Sequence, residues 1–232
     1  MQIEDDVRSM ARTSYGYGCW NAPYWFLGPE QGMAPNENND LSRRVEAWRH
    51  FGSRELDDCR EFHLRIGETS WHGEDAILQS TWKKLLLTLM AFLERPTTEA
   101  SRLNYQRNEW GRQPSDTCVI EISGLAAHNL NIDRDRECFR EERIKDIRER
   151  LQDYKPKFVI MYGKSRNYQK AWKEISKGAI AIAGKRRSFA KFLRFGPTLL
   201  VLPPHPVSWG TKNEDWTNLG IRIRHLVDTP LR

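Results

Sequence analysis

Apolar residues fall along this chain in two rhythms. Four short runs, at 24–27, 118–124, 157–163 and 198–202, are dominated by aliphatic and aromatic side chains. Continuous apolar runs of this length, bounded by glycine and proline, read as strands buried on both faces. The last is framed by Gly196-Pro197 before it and Pro203-Pro204 after it. Other stretches repeat at helical spacing. Residues 74–93 place Ile77, Leu78, Trp82, Leu85, Leu86, Leu89 and Phe92 on one stripe. Residues 135–154 do the same with Phe139, Ile144, Ile147 and Leu151. Helices are also predicted over 41–51, opened by Asp40 or Ser42 as cap, and over 164–175 and 216–227.

Strand and helix alternate, which predicts an α/β fold. The expected architecture is one domain, 1–232, in three layers. A central, mostly parallel four-stranded sheet carries helices on both faces. Residues 33–75 and 94–117 are polar and irregular, so the region 33–117 reads as rich in insertions. In such a sheet the loops after the strands converge on one edge, where ligands bind.

Composition adds a partner. The 232 residues hold 37 Lys and Arg against 31 Asp and Glu, a formal charge of +6, with a pI near 9.2. This balance reads either as scattered basic faces on a soluble protein or, more sharply, as a polyanion partner, most simply nucleic acid; the nine tryptophans divide between core and exposed binding surface. The first residues are acidic rather than basic then apolar, and no apolar run approaches the roughly 18–20 residues of a membrane helix. A cytoplasmic monomer that touches no membrane is expected. Cys19, Cys59, Cys118 and Cys138 form no C-x-x-C pair. They are read as reduced structural thiols, with no metal and no cofactor expected.

The candidate chemistry sits at the four strand ends. The first supplies Gly28-Pro29-Glu30-Gln31-Gly32, the second Glu121 and Ser123, the third Tyr162, Gly163 and Lys164, and the fourth His205-Pro206-Val207-Ser208-Trp209-Gly210. Prolines 204 and 206 hold the histidine rigidly, because proline fixes φ. An imidazole there can donate to a departing anion, or it can be an ordinary strand-exit histidine. Glu30 can position water, or be a solvated loop carboxylate. Glu121 lies inside an apolar strand, where a parallel sheet would bury it and demand a partner. Lys185, Arg186 and Arg187, then Lys191 and Arg194 interleaved with Phe189, Phe192 and Phe195, could track phosphates or form a solvated helix face. Gly163-Lys164-Ser165 lacks the upstream glycine of a phosphate loop, which excludes nucleotide hydrolysis by that route.

Taken in order, these segments resemble the uracil-DNA glycosylase superfamily. Its members carry a G-Q-D-P-Y or G-x-N-P-G motif after the first strand, where this chain has Gly28-Pro29-Glu30-Gln31-Gly32. Their last motif is H-P-S-P-L-S or H-P-S, matched by His205-Pro206-Val207-Ser208-Trp209. The resemblance runs from residue 24 to about 225. It implies a DNA glycosylase that flips a nucleotide out and hydrolyses its N-glycosidic bond. Glu30 and His205 would be catalytic. Gly28, Pro29, Gln31, Gly32, Glu121 and Ser123 would form the base pocket. Lys164, Lys185, Arg186, Arg187, Ser208, Trp209 and Gly210 would contact DNA, with Trp209 filling the gap behind the flipped base.

The departures bear on the substrate. Glu30 stands where the family has Asp or Asn, and Gly32 where it has a tyrosine that rejects 5-methyl groups. No recognition asparagine is evident, and Glu121 or Ser123 stands near its place. A carboxylate accepts from the N4 amine of cytosine but pairs poorly with the O4 of uracil. A pyrimidine enlarged at C5 is therefore the expected target, with defence against phage as a setting. The alternatives are a catalytically silent binder of DNA or protein, and a hydrolase of free nucleosides or nucleotide sugars.

Overall fold

A computed structural model of the protein describes residues 2–29, 31–32, 37–124, 134–163, 166–182 and 188–229. The chain opens with helix α1 (Gln2–Thr13), strand β1 (Gly16–Gly18) and strand β2 (Tyr24–Gly28). Then come α2 (Glu37–His50), β3 (Leu56–Asp57), α3 (Cys59–Arg65), α4 (Trp82–Phe92) and α5 (Glu99–Asn108). The second half holds β4 (Thr117–Glu121), α6 (Arg134–Tyr154), β5 (Phe158–Met161) and α7 (Arg166–Ile175). It ends with β6 (Ile180–Ala181), β7 (Lys191–Phe195), β8 (Thr198–Leu202) and α8 (Asn213–Asp228).

The four strands predicted from the apolar runs are β2, β4, β5 and β8. They pair as parallel neighbours in the order β4-β2-β5-β8. Period-2 alternation then sorts their side chains onto two faces. Tyr24, Phe26, Val119, Phe158, Ile160, Leu199 and Val201 pack on one face with Leu85 and Leu89 of α4 and Trp216 and Ile223 of α8. Trp25, Leu27, Cys118, Ile120, Val159, Met161 and Leu200 pack on the other with Ile147 and Leu151 of α6 and Trp172 and Ile175 of α7. Each large apolar side chain so buried contributes about 1.5–3 kcal/mol. Helices therefore cover both faces.

The sheet itself is larger and more mixed than four parallel strands. Eight strands run in the order β3-β1-β4-β2-β5-β8-β7-β6. β1 is antiparallel to β4, β7 to β8, and β6 to β7. Three of the extra strands are only two or three residues long, too short to show a period. The fourth, β7, is the Lys191–Phe195 part of the basic aromatic stretch, and it is a strand rather than a helix face. Its hairpin to β8 puts Phe192 in one core and Leu193 and Phe195 against the other. Gly196, at φ +55°, makes the turn, a conformation that favours glycine. The Arg194 guanidinium is buried and donates to the Pro197 and Leu226 carbonyls.

One predicted helix is shortened. Of 74–93, only α4 from Trp82 is helical. The reason is a competing set of polar bonds. The Gln79 side chain accepts from the Thr81 and Trp82 amides at 2.6 and 2.8 Å. The buried Gln106 side chain accepts from the Gln79 amide and donates to the Trp71 and Ile77 carbonyls, each at 2.9 Å. Ile77 is consequently 65% exposed. The region 33–117 is not a string of loops: it supplies α2 to α5 and β3.

One buried cation joins the amino-terminal arm to the sheet. Arg143 of α6 donates to the carbonyls of Ile122 at 2.9 Å and Glu121 at 2.8 Å. It also donates to those of Ala11 at 3.0 Å and Ser14 at 2.8 Å. Its guanidinium lies 4.2 Å from the centre of the Tyr15 ring. Burial pulls its pKa down to about 10, which still leaves it charged at neutral pH.

Candidate functional site

The chain runs from β2 outward to β4 on one side, then crosses to β5 on the other. The carboxyl end of β2 is thus a topological switch point, where open α/β sheets leave a crevice. A cavity of about 660 Å³ lies there. Residues from all four strand ends line it: Pro29, Gln31 and Gly32 after β2, Glu121 at the end of β4, Tyr162 and Gly163 after β5, and His205 with Ser208 after β8.

Its polar floor is a coupled pair. The buried Tyr162 hydroxyl lies 3.3 Å from Glu121 Oε1 and donates to it. Burial and the adjacent carboxylate push the Tyr162 pKa well above its ordinary value, so the phenol keeps its proton. Gly28 sits directly beneath, close enough that a side chain there would occupy the same space.

His205 meets Tyr162 edge to face, with ring centroids 5.4 Å apart and planes at 68°. The Val207 amide donates to His205 Nδ1 at 3.3 Å. An acceptor at Nδ1 places the ring proton on Nε2. Burial lowers the His205 pKa, which favours this neutral form. Four residues on, Trp209 is fully exposed, and Val207 beside it is largely exposed. Lys84 of α4 tethers this loop, donating to the Asn213 side chain at 2.6 Å.

Arg44 of α2 organises the first loop and was not singled out by sequence reasoning. Its buried guanidinium donates to Asp40 at 2.8 Å, to Gln31 Oε1 at 2.8 Å and to the Gly32 carbonyl at 3.2 Å. A lone arginine on a polar helix gives no sequence signal; only the fold brings it to the loop. The wall opposite comes from Tyr17, His63, Trp71 and the 79–82 segment. Nothing in the strand-end pattern points to these.

The predicted residues divide as follows. Pro29, Gln31, Gly32, Glu121, His205 and Ser208 share the cavity. Ser123 lines a small void of about 20 Å³ beside it, while its amide donates to the Pro29 carbonyl. Trp209 and Gly210 stand on the rim loop outside the lining. Glu30, Lys164, Lys185, Arg186 and Arg187 lie outside the described residues.

Cys19, Cys59 and Cys118 are free thiols. Cys59 comes together with His63 and His72, all buried, in the aromatic wall. Reasoning keyed to C-x-x-C pairs passes over this group; a Cys and a His one turn apart on α3 was the available signal. Among the described residues, no helix is long and apolar enough to cross a membrane. No family model matches the chain, and no curated protein matches it.

Proposed function

We propose that this protein is a DNA glycosylase of the uracil-DNA glycosylase type, acting on a pyrimidine enlarged at C5. The observation that carries the reading is the loop after β8. His205, with its proton on Nε2, lines the same cavity as Glu121, and the fully exposed Trp209 stands four residues further along. A base extruded from a duplex needs a pocket, a donor for its departing negative charge and a wedge for the vacated stack. The parallel order β4-β2-β5-β8, with the cavity at its switch point, supports the same reading.

In this mechanism the C1′–N bond breaks with its electron pair leaving on the base. The His205 Nε2–H donates to the base oxygen where that charge develops. Glu30 stabilises the sugar's positive charge, orients a water that adds to the cationic C1′, and accepts the proton this water loses. Glu121 accepts from an exocyclic amine, the chemistry of cytosine rather than uracil. Gly32 leaves open space where a side chain would otherwise press on C5. A target of this kind suits defence against phage genomes carrying enlarged cytosines.

The test is a panel of duplex oligonucleotides with plain and C5-substituted cytosines and uracils, incubated with protein and then treated with alkali. Strand scission on an enlarged cytosine, lost in Glu30→Gln with DNA affinity kept within a few fold, is the expected result. Salt-sensitive DNA binding without scission across the panel would identify a silent binder and end the catalytic reading.

A further inference from the structure

Three side chains of metal-ligating type meet behind the cavity wall, and His63 is the one of them that lines the cavity. Cys59 and His63 are one turn apart on α3 and so project from the same face. His72 reaches them from the segment that follows. Cys59 Sγ lies 3.5 Å from His63 Nδ1 and 3.7 Å from His72 Nε2. All three residues offer donor atoms within 4.8 Å of one another. Zinc–sulfur and zinc–nitrogen bonds of about 2.3 and 2.0 Å at a tetrahedral angle set S···N to about 3.5 Å. The two observed S···N separations fit that geometry.

We propose that Cys59, His63 and His72 bind a divalent transition metal, zinc by donor type, leaving a fourth position for water or another small donor. A thiolate with two imidazoles is a borderline-soft set suited to zinc rather than to magnesium or calcium. Rings pack around it: Trp71 and Tyr17 have centroids 5.0 Å from that of His63, and Trp82 lies at 5.7 Å. Such an aromatic shell limits solvent access to the site.

Without metal, the protons of the group are fixed by its contacts. His63 Nδ1 lies 2.6 Å from the Cys59 carbonyl oxygen, so there it must carry a proton and donate. The single thiol proton then goes to His72 Nε2. That leaves the His72 proton on Nδ1, which is buried with no hydrogen-bond partner. Metal binding exchanges the weak S–H···N contact and the His63 Nδ1–H···O=C bond for coordinate bonds, while His72 keeps its proton on Nδ1. One proton leaves the thiol to solvent, and the His63 proton moves from Nδ1 to Nε2. The bound ion would link α3 to the segment bearing Trp71 and the 79–81 rim, bracing one side of the cavity. This inference does not depend on the glycosylase reading.

The full-length protein, purified without chelator and dialysed after exposure to zinc, should retain about one zinc per chain by elemental analysis. The double variant Cys59→Ser, His72→Gln should retain almost none. Should that variant fail to fold, cobalt decides: wild-type protein stripped and reloaded with Co²⁺ should show thiolate-to-cobalt charge-transfer absorption and intense tetrahedral ligand-field bands. Retention of less than about a tenth of an equivalent of zinc by wild type, or a cobalt spectrum without the thiolate band, overturns the site.

Discussion

A Cβ on Gly28 would stand 2.2 Å from Glu121 Oε2 and 2.1 Å from the Tyr162 hydroxyl. The carboxylate and the phenol can therefore meet only over a residue without a side chain. Gly28→Ala should separate them or push the β2 end aside. Overpacking of this kind typically costs about 1–3 kcal/mol. Denaturant unfolding should report that loss, and base release should fall with it. A variant of wild-type stability would show that the Glu121–Tyr162 pair moves freely, and that it does not fix the cavity floor.

His205→Ala should slow base release by roughly 10²–10³, the usual scale for losing one preorganised donor to a developing anion. Binding of DNA should change little, because the bond strengthens only as the base departs. Single-turnover rates on the cleaved substrate measure this. A loss seen wholly as weaker binding would remove the histidine from the chemical step.

The pH profile follows from the same ring. Burial lowers the His205 pKa from 6.5, so the neutral imidazole persists below that value in the folded protein. Protonation would put an N–H on Nδ1 against the donating Val207 amide and disturb the loop, so base release should hold from alkaline pH down to about 6.5 and decline only beneath it. The unfolded chain takes up its proton at the ordinary value, so the same shift removes stability as pH falls below 6.5. A half-maximal rate well above this point, absent in His205→Ala, would mean that the ring is not held neutral.

Trp209 touches too little to matter for stability. Surface substitutions of this sort usually stay within about 0.5 kcal/mol. Trp209→Ala should therefore keep its melting temperature while losing activity on duplex more than on single strands, since unpairing and unstacking cost a few kcal/mol per flipped base. Equal losses on both substrates, together with a lowered melting temperature, would sink the wedge assignment.

Gly32 faces open space, with no heavy atom within 4 Å of where its Cβ would be. Gly32→Tyr should fold normally and fill the cavity beside Gln31. Relative rates on plain and C5-substituted pyrimidines should then shift towards the plain base. An unchanged ratio would place C5 elsewhere in the cavity.

The four central strands and most helices were legible because uninterrupted apolar runs and 3.6-residue stripes survive in the sequence. What failed did so for identifiable reasons. Gln79 and Gln106 capture the backbone that the Ile77 stripe would have made helical. Phe189, Phe192 and Phe195 are spaced as on a helix, yet pairing with β8 makes strand of 191–195. The strand ends of the site were readable because fold class alone brings them together. Arg44 and the Cys59, His63 and His72 group were not, since each depends on how α2, α3 and the 67–81 segment dock.

The Arg143 clasp has a consequence for where this protein can be cut. Two of the four carbonyls it binds belong to Ala11 and Ser14, and a third to Glu121 itself. Trimming the first fourteen residues would leave that buried cation with two of its four carbonyls, those of Ile122 and Glu121. The amino-terminal arm and the end of β4 thus share one buried charge, and a cut in the first would be felt at the second.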